Sequence, residues 1–435
     1  MLSYLYIIFV CEETIMKNCF YAADILLPRF ANNADTMCTW ACIACDQYTS
    51  EPEYWTAVEG EVGDTASALR VTLPEIYLSQ SEARIPEINR TMETYAKDVL
   101  AEHKSSMIYL ERTQKNGKIR RGLVGAIDLE CYDYNKGATT LVRATEGTVL
   151  ERIPPRVKIR ENAPIELPHI MVLIDDPKRT VIEPIMSKFA AYETAYDFDL
   201  MLGSGHALGK FLPKDEIERV NTALEALFDD AAKAQSTEKP LVFAVGDGNH
   251  SLATAKACWE KLKPTLSEAE KENHPARYAL CEIVNIHDEA LEFEPIYRVL
   301  FGVDANDVQT ELKKYTASLL ESGIAPQSFT VISKTGESEI VVDNPTSMLL
   351  VGTLQTFIDG YIKTHEGAEV DYIHGIDSTK KLASGDRAIG FIFKGMEKSE
   401  LFPTVVNDGA LPRKTFSMGE ADDKRFYLEA RRIAK

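Results

Sequence analysis

Cations are scarce in this 435-residue chain: 48 lysines and arginines stand against 67 aspartates and glutamates, a formal charge of −19. Neutralising nucleic-acid phosphates needs a basic face, so this balance argues against general nucleic-acid binding; by itself it mostly promotes solubility. Long hydrophobic runs are missing too. The apolar stretch at residues 2–11 is too short to span a bilayer. It has no positively charged n-region, and no A-x-A-like cleavage site follows it. Glu12 and Glu13 come next, then Met16 and Lys17. Translation is therefore expected to start at Met16, with residues 1–15 a non-native leader and the remainder a soluble, cytoplasmic protein without a membrane partner. There is no internal repeat and no low-complexity linker. No Gly-x-Ser-x-Gly elbow occurs, and no His-x3-His or His-Glu-x2-His pair, which argues against a serine hydrolase of that type and against a helical zinc site.

Eight cysteines are present. The one cluster, Cys38, Cys42 and Cys45, has a zinc-like C-x2-C step but no second pair at finger spacing. Reduced thiols acting as small buried residues are expected.

What is present is an ordinary globular composition, 45% apolar and 26% charged, in a chain long enough for two or three domains. Strands are expected at residues 22–28, 107–110, 121–129, 170–174, 241–245, 278–286, 293–300, 328–333, 339–342 and 388–393. Helices are expected from residue 51, where Ser50 reads as the cap, and at 86–103, 181–196, 214–233, 305–322, 354–363 and 424–434. Asn116-Gly117 marks a hairpin. Strands and helices alternate without strict βαβ rhythm, which predicts an α/β or α+β fold: a mixed β-sheet with flanking helices and a smaller C-terminal α+β region. A soft boundary near residue 302 divides a main domain, 16–302, from the C-terminal region, 303–435.

Chemistry concentrates in one turn. After the apolar run 241–245 come Gly246, Asp247, Gly248, Asn249, His250 and Ser251, and then helical spacing at Leu252, Ala255 and Trp259. A strand, a tight polar loop and a helix start bring backbone N–H groups onto an anion. The turn is neither a Walker loop, lacking Gly-Lys-Ser/Thr, nor a Rossmann fingerprint, since Ser251 stands where the third glycine belongs. A plain capping loop needs one polar side chain, and this one has four. In a phosphate site Gly246 and Gly248 would admit the ligand to the backbone, while Asn249, Ser251 and Thr254 would add polar contacts. Asp247 would take a proton from a hydroxyl or hold Mg²⁺, and His250 would act as acid, base or donor.

A second candidate is the charged segment 143–161. Arg143, Arg152 and Arg156, with Glu146, would clamp a phosphate or carboxylate, the Pro154-Pro155 pair stiffening an extended strand; the commoner alternative is a solvated, salt-bridged strand. His206, in a glycine loop, is a possible supporting group. Each of the other histidines, His169 among them, reads as an ordinary surface or core residue.

The block Ala244-Val-Gly-Asp-Gly-Asn-His-Ser-Leu-Ala-Thr-Ala255 resembles the Asp-Gly-His-His-Arg-x-x-x-Ala signature of an uncharacterised bacterial family, domain of unknown function 1015. The blocks at 44–55, 143–156, 374–375 and 412–416 agree with that family. More distantly, the turn is similar to the phosphate-binding turn of ParB/sulfiredoxin-like proteins, a group that includes nucleotide-dependent enzymes and a free-serine kinase. A phosphotransferase using this turn and the Arg-rich segment would take ATP or ADP with Mg²⁺ as ligand. Ser251 departs from the ParB/sulfiredoxin-like turn, standing where an arginine is usual. Three functions compete: a nucleotide-dependent phosphotransferase on a small polar metabolite, a non-catalytic module binding a phosphorylated ligand, and a metal-dependent hydrolase.

Overall fold

The computed structural model describes residues 17–147 and 153–435. The expected leader and Arg152 lie outside them. Three apolar runs form the centre of a ten-stranded mixed sheet: Met171–Ile174 lies between Tyr278–Asn285, parallel to it, and Phe243–Asp247, antiparallel. The hairpin Ile108–Thr113 and Ile119–Asp128 forms around Asn116-Gly117, Gly117 taking φ +80°. It extends the sheet on one side, followed by His206–Phe211 and Thr194–Asp199. On the other side Val142–Ala144 runs parallel to Phe243–Asp247, and Tyr132–Asp133 forms the edge.

The helices Lys214–Gln235 and Asn249–Leu262 bury Val220, Leu224, Phe228, Leu252, Ala255 and Trp259 in a core shared with this sheet. Full burial of a large apolar side chain contributes ~1.5–3 kcal/mol. A second, six-stranded sheet starts at Phe293–Phe301 and takes in Gln327–Ser333, Gly336–Val342, Glu369–His374, Ala388–Phe393 and Phe416–Met418. The helices Ala305–Ser318 and Leu350–Thr364 pack on it. The architecture is the mixed α/β type expected. Among the described residues no helix is long and apolar enough to cross a membrane.

Several local expectations fail, each for a tertiary reason. Residues 424–434 are two short strands, not a helix: Phe426–Tyr427 pairs with Cys42–Ile43, and Ala430–Arg432 with Ala23–Pro28 and Ile165–Glu166. Sheet pairing and buried ion partners override helix propensity there. The segment 143–161 is not one strand. Val142–Ala144 ends early, and Ile153–Arg160 is a helix in which Pro154 and Pro155 fall in the first turn, where proline is tolerated. Residues 181–196 form short 3₁₀ turns and then the strand Thr194–Asp199, which pairs with His206–Phe211. The helix expected to reach residue 103 gives way to the strand Leu100–Ser106, recruited by Ala23–Pro28. Pro52–Val62 starts without a side-chain cap, so Ser50 does not cap it. Cys19 and Cys131 form a disulfide, against the expectation of reduced thiols throughout. Burial pushes the Cys42 and Cys45 thiols up to about 12, which keeps them protonated.

The returning tail is held by charge. Arg425, essentially buried, donates to Glu282 (2.9 Å) and Glu429 (2.8 Å), and Arg120 lies 3.4 Å from the second Glu282 oxygen. Gly122 makes room for Glu282: a Cβ there would sit 2.5 Å from its Oε1. Removing one member of such a network leaves an uncompensated buried charge, at ~3–5 kcal/mol. Glu282→Gln should therefore lower the chemical-denaturation midpoint strongly. Asp386→Asn, which breaks the exposed pair with Lys334, should leave it nearly unchanged. Equal midpoints for the two variants would refute the role given to the network.

Candidate functional site

The strand Phe243–Asp247 is buried as far as Val245 and emerges at Gly246. A Cβ on Gly246 would lie 2.8 Å from Leu173 Cγ and 3.0 Å from Met418 Cε. Packing therefore demands this glycine, rather than the approach of a ligand. Gly248 takes the left-handed conformation, φ 76° and ψ 26°, that lets the helix Asn249–Leu262 start at once. No side chain caps that helix, so its first turn has orphan donors to offer. It opens into a cavity of about 480 Å³.

Asp247 Oδ1 accepts from the Gly248 N–H at 2.8 Å, and Oδ2 faces Lys424 Nζ at 3.4 Å. Asn249 donates to Val245 O (3.3 Å) and Thr145 Oγ1 (3.4 Å); its own buried Oδ1 has no hydrogen-bond partner among the described residues. Ser251 Oγ is 3.3 Å from His169 Nε2. The His169 ring is buried, with Nδ1 3.1 Å from Tyr427 Oη and Nε2 3.8 Å from Asp46 Oδ2. Tyr427 Oη also accepts the Cys45 N–H at 3.1 Å. His250 lines the cavity directly.

The facing wall comes from distant sequence. Lys414, Phe416, Ser417, Met418 and Lys424 belong to the returning tail, and Glu146 and Arg156 flank the segment around residue 150. Arg156 pairs with Glu75. Burial and the nearby Asp247 charge raise the Glu146 carboxyl above its ordinary value, although Lys414 and Lys424 pull the other way. For Asp46 burial also opposes ionisation, but His169, Gln47 and Lys424 outweigh it and hold the carboxyl below its usual range. The cavity thus mixes a helix start, lysines and an arginine with carboxylates that tune them, a composition suited to an anion carrying its own countercharge or a transferable proton.

Among the residues singled out from the sequence, Gly246, Asp247, Gly248, Asn249, His250 and Ser251 meet Glu146 and Arg156 here. Three others do not join them. Arg143 is buried beside the strand, and its guanidinium is spent on Thr140 O (2.8 Å) and Lys239 O (3.0 Å), toward the opposite end of that strand. Thr254 Oγ1 bonds back to His250 O at 2.7 Å within the helix, so its hydroxyl is not offered to a ligand. His206 sits on the outer hairpin between Asp197 and Asp199, at 2.8 Å from each. Conversely, Asp46, His169, Lys414, Phe416, Lys424 and Tyr427 were not singled out as site residues. Asp46, Lys414 and Phe416 lie in blocks that carry the family resemblance, whereas Lys424 and Tyr427 were hidden in a stretch with helical spacing.

Among the described residues no group of three or more His, Cys, Asp or Glu side chains is arranged to hold a metal ion. A larger cavity, about 1160 Å³, lies between the helices Lys214–Gln235 and Lys398–Asp408. Its walls are mainly alanine, leucine, valine, phenylalanine and proline, and the turn at Gly246 takes no part in it.

Comparison with known proteins assigns the chain to a family. The chain belongs to the family described as protein of unknown function (DUF1015), whose model matches residues 27–365. No curated protein matches it. Solved structures that it resembles include a conserved hypothetical protein from Pyrococcus furiosus, at 12% identity and TM-score 0.33, covering 71% of this chain and 94% of that one. A free serine kinase in complex with AMP shows 13% identity and TM-score 0.35, covering 71% and 90%. SbnI with C-terminal truncation from Staphylococcus aureus shows 11% identity and TM-score 0.33, covering 70% and 85%. At these scores the likeness carries no argument about activity.

Glu146 gives the site a pH signature. A carboxyl whose pKa is raised by folding contributes its full stability below the unfolded value and loses it as pH rises through the folded value. Its contribution should therefore fall as pH climbs from the ordinary 4.5 toward the raised value. Glu146→Gln should remove that fall, so that thermal melts of the variant gain on the parent with rising pH. A pH-independent difference would contradict the assignment.

Proposed function

We propose that the cavity at the Gly246–Ser251 turn binds a nucleotide and supports phosphoryl transfer to a small polar metabolite. The observation that carries this reading is the uncapped start of the helix Asn249–Leu262 opening into a cavity of about 480 Å³ rimmed by Arg156, Lys414 and Lys424. Backbone donors at a helix start favour anions, and lysines and arginines neutralise phosphate oxygens. The volume falls within the ~300–1,000 Å³ of small-molecule sites. Phe416, packed against Phe293 with ring centroids 4.2 Å apart, supplies an apolar face, with Met418 beside it, in a largely polar chamber. The likeness of the turn to the phosphate-binding turn of ParB/sulfiredoxin-like proteins supports the same reading.

In this scheme Gly248, Asn249 and Ser251 hold phosphate oxygens, and Arg156 and Lys424 offset their charge. Arg156, presented by the helix Ile153–Arg160, takes the place of the arginine that Ser251 displaces from the turn. Asp247 accepts the proton of the attacking hydroxyl, and His250 donates to a phosphoryl oxygen. Magnesium entering with a nucleotide needs only one or two protein carboxylates, and Asp247 and Glu146 both line the chamber.

Titration with Mg·ADP and Mg·ATP should raise the melting temperature in a saturable way, and stabilisation by neither would sink the proposal. Hydrogen bonds to charged groups contribute ~1.5–3 kcal/mol, so Lys424→Ala should weaken binding by roughly tenfold or more. Asp247→Asn separates catalysis from sensing: phosphoryl transfer to the metabolite should be lost while nucleotide binding persists, and a parent protein that binds but never passes a phosphoryl group to a metabolite is a sensor.

A further inference from the structure

The hydroxyl of Ser251 is more than a phosphate contact. It lies at the first turn of the helix Asn249–Leu262, on the cavity wall, with Oγ 3.3 Å from His169 Nε2. The other ring nitrogen meets Tyr427 Oη at 3.1 Å. That oxygen also takes the Cys45 amide N–H, at 3.1 Å. In the tautomer that donates Nδ1–H to Tyr427, Nε2 is the acceptor facing Ser251. Hydroxyl, imidazole and a third group that orients the imidazole are the parts of an activated nucleophile. Asp46, whose carboxylate lies 3.8 Å from Nε2, stands ready to stabilise the imidazolium that proton transfer creates. The backbone is fixed on both sides of the ring: Arg425 Nη1 donates to Pro168 O at 3.0 Å, and the Glu282 N–H to Ile170 O at 3.0 Å. Asp247 and His250 are not needed to activate this hydroxyl, so the relay is separate from the acid–base pair assigned above.

We infer that Ser251 is a covalent nucleophile, with His169 as its general base and Tyr427 as the positioning residue, and that the group it accepts is a phosphoryl group. Ser251 Oγ attacks phosphorus, and its proton passes to His169 Nε2. The Oγ–P bond forms as the bond from phosphorus to the leaving oxygen of a nucleoside triphosphate breaks. Nucleoside diphosphate departs with the electron pair, leaving phosphoserine in the cavity. The orphan donors of the helix start lie beside the attacking oxygen, where charge on the transferring group would be stabilised. The inference rests on the cavity being a phosphoryl site, but the nucleophile can be tested without a nucleotide.

A fluorophosphonate reagent presents an electrophilic phosphorus to the same oxygen, with fluoride leaving in place of the diphosphate. Peptide mapping of the full chain should place this label on Ser251. Mg·ATP should place one phosphoryl group on the same residue. Both should vanish in Ser251→Ala, a half-buried position at a helix start where folding is little affected. His169→Gln should slow labelling on the order of 10²-fold or more, the usual worth of a general base. Tyr427→Phe should slow it less while leaving nucleotide-induced stabilisation unchanged, which separates positioning from binding. His206→Gln, on the far hairpin, should label like the parent. Labelling of Ser251 without nucleotide stabilisation keeps the relay and overturns the nucleotide reading. Stabilisation by Mg·ADP with no label on Ser251 from either reagent overturns the relay and leaves the nucleotide reading standing. Equal rates for His169→Gln and the parent overturn the role of His169.

Discussion

The tail side of the cavity at Gly246–Ser251 depends on the salt-bridged burial of Glu282. Its two oxygens are shared by Arg120, from the neighbouring strand, and Arg425, from the C-terminal tail. Arg425 is held a second time by Glu429. Buried ion pairs add little net stability, because desolvation offsets most of the attraction. Their consequence lies in what they forbid. A tail in another register would take Arg425 away from Glu282 and leave that buried carboxylate with Arg120 alone, at 3.4 Å. The tail is thereby fixed across the main sheet, and with it the residues on either side of Arg425.

Those neighbours border the cavity at the turn or hold the residues that line it. Lys424 immediately precedes Arg425 and faces Asp247; Tyr427 follows two residues later and holds the His169 ring. Arg425 also reaches the Pro168 carbonyl, next to His169 itself. One guanidinium therefore sets the electrostatic partner of the turn, the orientation of its neighbouring imidazole and the backbone that carries that imidazole. Structural burial and candidate chemistry are coupled through a single side chain. The cavity is assembled from the centre of the large sheet and from a tail that has first passed through the second sheet.

The charge balance of the cavity follows from the same arrangement. In a chain with net charge −19, an anion would find few welcoming surfaces. Here Arg156, Lys414 and Lys424 converge with an uncapped helix start, while Glu75 and Asp247 keep the arginine and one lysine in place. The carboxylates hold the cations ready in the absence of an anion. The raised Glu146 carboxyl marks the point where burial and like charge already strain the chamber.

The strand–turn–helix at 241–259 was legible in the sequence because its signals are local: an apolar run, a glycine that tolerates the left-handed conformation, and a change to helical spacing. The hairpin at Asn116-Gly117, the helix 214–235 and the mixed α/β class were legible for the same reason. Four blocks that carry the family resemblance, at 44–55, 143–156, 244–255 and 412–416, all contribute walls to one cavity, so much of the site was present in the sequence as fragments. What joins the fragments was not. Arg143 and Arg156 look alike in the sequence, yet one guanidinium is consumed by backbone carbonyls and the other faces the cavity, because a strand ends and a helix starts between them. His169 looked like an ordinary core histidine until pairing placed Ser251, Tyr427 and Asp46 around it. Local spacing determines which short elements form and where chemistry is concentrated. Which distant side chains complete that chemistry is decided by sheet pairing and buried charge, which act across hundreds of residues and leave no periodic trace in the chain.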